Sequence, residues 1–183
     1  MSHLMMHSWP STITAAMTLS SGCVVLLAAW HDIVSRTVPN WMSAVIALFG
    51  MVAATADGRL LISTGLGLTI FVVAAICWRR GWMGGADVKL LGAVAIVLPP
   101  GVVSMFAVAM SVAGAVHALT YMLARRMVTP PPPLAPLTPP SSRPLLCRAL
   151  RAERWRISRG GPLPYACAIA FGFLFVICNG AAP

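Results

Sequence analysis

Apolar residues run along the chain in six blocks, at roughly 12–31, 41–56, 60–78, 88–98, 101–124 and 163–180. Blocks of this kind, almost free of charge, fit membrane helices, each of which needs about 20 apolar residues to cross. The fold class they predict is an all-α integral membrane protein with about six transmembrane helices. The fourth block is the awkward one. Its 11 residues make about 16 Å of helix at 1.5 Å per residue, against roughly 30 Å of hydrocarbon. Pro99-Pro100-Gly101 then breaks it, so the pattern alone allows either a short crossing or a re-entrant segment.

Charge separates the two. With six crossings, Arg36, Arg79, Arg80, Lys89 and the eight arginines between Arg125 and Arg159 share one side, 12 basic residues against Arg59 alone on the other. If the fourth block turns back, the eight arginines change sides and the split becomes 4 against 9. Cytoplasmic loops carry the Lys/Arg excess, and charges close to a helix end weigh most. Arg125 and Arg126 lie at such an end. The reading is six spans with both termini outside, the fourth short and set in locally thinned bilayer.

Composition supports a membrane class. The chain is 58% apolar and 9% charged, where a soluble domain is roughly half apolar and a quarter charged. Its net charge of +9 does not imply a nucleic-acid partner. The basic residues flank apolar spans, where anionic lipid and topology account for them. Cys23, Cys77, Cys147, Cys167 and Cys178 form no C-x-x-C pair, and the four histidines have no metal-ligand spacing. Small apolar packing explains the cysteines, and no metal or cofactor is expected. His117, deep in the fifth block, reads as a hydrogen-bonded packing residue. Residues 1–11 hold no Lys or Arg, so a cleaved signal peptide lacks its basic region, and the first block is expected to stay as an anchor.

The organisation expected is 1–126 for the first five helices, 127–161 for a Pro/Arg-rich cytoplasmic loop and 162–183 for the sixth helix. The run TPPPPLAPLTPPSSRP at 129–144 favours an extended spacer over a packed core. After it, residues 145–159 have the makings of a basic surface helix, interrupted by Glu153.

Only four residues are acidic: Asp32, Asp57, Asp87 and Glu153. Asp57 falls in the turn Ala-Asp-Gly-Arg, a plain turn signal, and Glu153 sits among arginines as a solvated ion pair. Asp32 ends the first helix and Asp87 opens the fourth, both at the cytoplasmic face. Each has a structural explanation. Asp87 follows two glycines at a helix start, where free N–H groups favour a carboxylate, and Asp32 has Arg36 four residues on as a partner. Pro39-Asn40-Trp41 reads as a helix stop, an N-cap and an interfacial aromatic. The pair is harder to dismiss, because ionisable groups at a membrane helix are expensive and point to function. Two carboxylates within hydrogen-bonding range do not both ionise easily, so one keeps a proton. Such a pair can activate water with one member and polarise a carbonyl with the other.

Three stretches resemble the prepilin peptidase family. HDIVSRTVPNW (31–41) resembles its first-aspartate motif and MGGADVKLLGA (83–93) its G-x-G-D motif with the following Lys-Leu; PLPYACAIAFG (162–172) is similar to its closing segment. The resemblance covers nearly the whole set of helices. It implies a G-x-G-D aspartic protease-like helix bundle with Asp32 and Asp87 catalytic. Arg36, Pro39, Asn40, Gly84, Gly85, Lys89 and Pro164 would shape the site. It implies leader-peptide cleavage of prepilin or pseudopilin precursors (type IV/Flp pilins), whose basic leader precedes an apolar helix and is cut after a glycine, at the cytoplasmic face of a bacterial inner membrane, with the lipid bilayer as the other partner. Two positions depart from the family, Ala86 at the second glycine of G-x-G-D and Ala166 where a glycine is usual; both are small. With 11 residues before the first block and no paired C-x-x-C, the chain resembles the short Flp/Tad-type peptidases, with no methyltransferase activity. The competing class is a transport or secretion-assembly subunit that uses the Asp pair for proton relay or structure. A relay calls for carboxylates at mid-membrane, whereas both of these lie at one face.

Overall fold

The computed structural model describes residues 12–127, Leu150, Arg151, Arg154, Trp155 and 165–179. The Pro-rich run, Glu153, Cys147, Pro164 and most of the basic segment lie outside the described residues. Leu150, Arg151, Arg154 and Trp155 are helical.

Among the described residues the chain is all-helical, as the apolar blocks predict, with six helices of at least 13 residues: α1 (Thr12–Ser35), α2 (Asn40–Ala56), α3 (Leu60–Arg79), α4 (Gly85–Val97), α5 (Val103–Met127) and α6 (Ala166–Cys178). A 3₁₀ turn, Pro100–Val102, joins α4 to α5. Three stretches are long and apolar enough to cross a membrane, Thr12–Ser35, Leu60–Arg79 and Pro100–Met127; α2 and α6 are apolar but shorter. Large apolar side chains such as Leu19, Leu61, Ile62, Val73 and Val108 are exposed on the outer faces. In water such surfaces would be a liability, whereas lipid tails are as apolar as they are. The protein is a membrane protein.

The short fourth block becomes the centre of the fold. Helix α4 packs chiefly against α2 and α3, with further contact to α1 and α6, while α5 pairs with α6. Residues Val88, Leu90 to Ala95 and Val97 are buried, so α4 is covered over most of its surface, with Lys89 its exposed residue. A helix apolar all round is a core helix, and one shielded from lipid need not match its thickness. The 13 residues of α4, about 20 Å, are therefore no mismatch, and thinned bilayer is not needed to explain them.

Contacts fix how α4 lies. At its start, a Cβ on Gly85 would come 3.1 Å from the indole nitrogen of Trp78 near the end of α3; further along, one on Gly92 would meet Cβ of Phe71 at 2.9 Å. Near its end, a Cβ on Gly50 would sit 2.8 Å from the backbone nitrogen of Val97. Helix α2 runs on to Ala56 beyond that point. The shortfall in length is thus taken entirely at the C-terminal end of α4. Arg59 fills it. Its guanidinium donates to the carbonyls of Val97 at 3.0 Å, Leu98 at 3.3 Å and Ile96 at 3.5 Å, and to Ser63 Oγ at 2.8 Å. The last carbonyls of a helix have no intrahelical partner, so Arg59 caps α4 from the α2–α3 turn. Asp57 holds Arg59 through a 3.1 Å ion pair and accepts a hydrogen bond from Thr14 on α1. Asp57 is therefore a clasp among α1, α2 and α4 and more than the turn residue its context predicts.

Candidate active site

Helix α1 runs four residues past the end of its apolar block, so Asp32 lies inside the last turn and not at the helix end. It is buried, 8% exposed. The side chains around it explain the extension. Ser35 Oγ donates to the His31 carbonyl at 2.7 Å and contacts His31 Nδ1 at 2.8 Å, and His31 Nδ1 also lies in hydrogen-bond contact with the Thr37 carbonyl. These bonds hold polar residues in a helix that an apolar pattern would have ended.

The chain then reverses in four residues. Arg36 adopts φ 57°, the left-handed conformation, with its N–H bonded to the Asp32 carbonyl at 2.8 Å. Helices often end this way, but on glycine; a residue with a side chain bears a cost of about 1–2 kcal/mol there. In return the turn places the Arg36 side chain beside Asp32 in one cleft. Pro39, with φ −58°, precedes α2, and Asn40 is the first helical residue, with no side-chain cap bond at this terminus. The N-cap role expected of Asn40 is therefore corrected. Its side chain instead accepts a 2.7 Å hydrogen bond from Lys89 Nζ, linking α2 to α4.

The second aspartate is half-buried in the first turn of α4, which starts at Gly85, ahead of the apolar block. Gly84 precedes the helix in an extended conformation, with no side-chain cap. Both glycines leave room for a neighbouring side chain. A Cβ on Gly84 would come 2.9 Å from Asp87 Oδ2, and one on Gly85 would press on Trp78. Ala86, the departure from G-x-G-D, packs its methyl against the core. Ala166, the other departure, is fully buried at the start of α6, so both extra methyls are accommodated.

These elements meet in one open cleft of about 540 Å³, lined by Asp32, Arg36 and Asn40 from one motif and Gly84, Gly85, Asp87 and Lys89 from the other. The two carboxylates thus line the same cleft, one from each motif. Pro39 stands at the start of α2 beside this lining, and Pro164 lies outside the described residues. Sequence reasoning missed Thr37 and Val38, which also line the cleft, and Trp78 behind Gly85. An aromatic at the end of a span, six residues before Gly84, was the available signal for Trp78. His117 lies away from the cleft and packs its ring on Tyr121, centroids 4.8 Å apart.

Arranged in this way, the cleft presents two carboxylates, a guanidinium and an ammonium at one end of the bundle. Asp57 is at the other end, since Thr14 and Asp32 lie at opposite ends of α1, about 27 Å apart along the helix. Neither the curated proteins nor the solved structures give a match. Residues 19–119, more than half of the chain and inclusive of both aspartate motifs, match the model of the type IV leader peptidase family. The chain belongs to the type IV leader peptidase family, and it is a peptidase of that kind.

Proposed function

We propose that this protein is an aspartic endopeptidase that removes the leader peptide of prepilin-like precursors at the cytoplasmic face of a bacterial inner membrane. The observation that carries this reading is the convergence of Asp32 and Asp87, from helices distant in sequence, on one cleft open to the outside. Two carboxylates that feel each other's charge share one proton. The ionised member takes a proton from water as it attacks the scissile carbonyl, and the protonated member donates a hydrogen bond to that carbonyl oxygen. The tetrahedral intermediate then collapses with the amine as leaving group, protonated from the same pair. Arg36 and Lys89 set the field around the carboxylates, and the Lys89–Asn40 bond holds the Lys89 ammonium at the mouth.

The cytoplasmic assignment is supported by the basic residues that gather at the cleft end of the bundle: Arg36, Arg79, Arg80, Lys89, Arg125 and Arg126 are the kind retained in cytoplasmic loops. The test is co-expression with a candidate prepilin and mass measurement of the product. The wild type is expected to shorten the precursor at a glycine before its apolar segment, and Asp32→Asn or Asp87→Asn to leave it intact. Processing by both variants would overturn the aspartic mechanism.

A further inference from the structure

A second cavity, of about 380 Å³, opens between α2 and α3 with α4 as its floor. It arises because α2 and α3 each pack on α4 far more than on one another. The three helices line it with the same spacing, i, i+3, i+4 and i+7, from Asn40 to Ala47 on α2, Thr64 to Phe71 on α3 and Lys89 to Ile96 on α4. Each such set is one helix face two turns long, about 10 Å. The groove is apolar below its mouth, and several of its residues are alanine or glycine. Small residues let a further helix bring its backbone close, which is how helices associate in lipid.

Two observations say what lies there. Asn40 and Lys89 line both this groove and the carboxylate cleft, so the two are continuous. On the wall, Thr64 Oγ1 is shielded from solvent and has no hydrogen-bond partner among the described residues. A helical Thr commonly bonds back to the carbonyl four residues earlier; this one makes no such bond and adds a polar position to a mostly apolar wall. The occupant must therefore be apolar and helical over at least two turns and must pass, at its Lys89 end, into a polar stretch that crosses the carboxylates.

We infer that the groove between α2 and α3 receives the apolar helix of the substrate, laid along α4 so that the peptide bond just before that helix reaches Asp32 and Asp87. This rests on the peptidase reading and adds to it a docking surface for the part of the substrate that is not cut. Specificity then depends on the apolar segment as well as on the cleavage point, and Lys89–Asn40 marks the junction between the two.

The test uses full-length protein in liposomes and, as probe, a synthetic precursor with a basic leader, a glycine at the cut and an apolar helix. A photo-crosslinking benzoylphenylalanine replaces Leu68 on the groove wall in the Asp87→Asn protein, which holds the precursor uncut. A control carries the same probe at Val108, beside a separate cavity between α5 and α6. A precursor adduct at position 68 and none at 108 is expected. In the active protein, Ala44→Trp fills the exposed side of the groove and should raise KM at least tenfold with kcat within about twofold; Val108→Trp, outside the groove, should change neither. An adduct to lipid alone at position 68, a precursor adduct at 108 instead, or an unchanged KM in a folded Ala44→Trp protein overturns the docking surface. The peptidase reading survives those results as long as the wild type cuts the probe and Asp87→Asn does not. If the wild type leaves the probe uncut, both fall.

Discussion

Lys89 donates a 2.7 Å hydrogen bond to Asn40, tying the first turn of α4 to the first residue of α2. The bond joins the two aspartate motifs directly. Because both partners are exposed, the bond adds little to stability; its value is in keeping two helix ends in register at the cleft. Lys89→Met and Asn40→Ala should each lower kcat/KM by roughly three- to tenfold, and the double variant should lose no more than the worse single one. Multiplying losses would show that the two side chains act separately.

Asp32→Asn and Asp87→Asn should each reduce leader cleavage by about 10²–10⁴-fold, the usual contribution of a positioned acid or base, with insertion unchanged. Asp57→Asn, at the far end of α1, should stay within a few-fold of wild type. Activity of the wild type against pH should be bell-shaped, because one member of the pair must be ionised and the other protonated. Equal losses in all three variants would remove the distinction between a catalytic pair and a structural carboxylate.

Gly84→Ala places a methyl 2.9 Å from Asp87 Oδ2. The carboxylate must rotate or the turn must shift, and a displacement near 1 Å at a reacting group costs on the order of 10²-fold. The expected result is that loss in kcat with little change in thermal stability, since the position is exposed. Retained kcat would show that the position of Asp87 is not set by this turn.

Arg59→Met strips the C-terminal carbonyls of α4 of their cap and leaves Asp57 without its ion pair. A charge-assisted contact of this kind is worth about 1.5–3 kcal/mol, so a thermal melt in detergent should show a clear drop. Arg59→Lys, which keeps the charge but not the fork of donors, should recover only part of it. A melt equal to wild type would mean that water or lipid headgroups satisfy those carbonyls equally well.

The apolar pattern located the helices well where turn residues bounded them. The block 41–56 became Asn40–Ala56 and 60–78 became Leu60–Arg79, because Pro39 and the Asp57-Gly58 turn punctuate the chain. It failed at the two helix ends that carry the aspartates. Hydrophobicity reports where a chain avoids water, whereas these ends are polar helix turned into a cleft: four residues past the block on α1 and three before it on α4. The pairing of Asp32 with Asp87 was legible from their shared face. The capping role of Arg59 was not, since it depends on the register between α2 and α4, which no local pattern records. The Lys89–Asn40 bond was hidden for the same reason, although both residues stood out individually.

The burial of most of α4 also bears on how the site moves. Amides buried on every side exchange with solvent only when the surrounding structure opens, so α4 should be among the last segments to take up deuterium, and Asp87 is fixed to it. Asp32 belongs to a helix whose outer face carries exposed Leu26, Leu27 and Trp30 and whose closing turn rests on Arg36 in a left-handed conformation. If that turn is the softer side of the cleft, the 31–39 segment is where deuterium uptake should respond first when substrate binds.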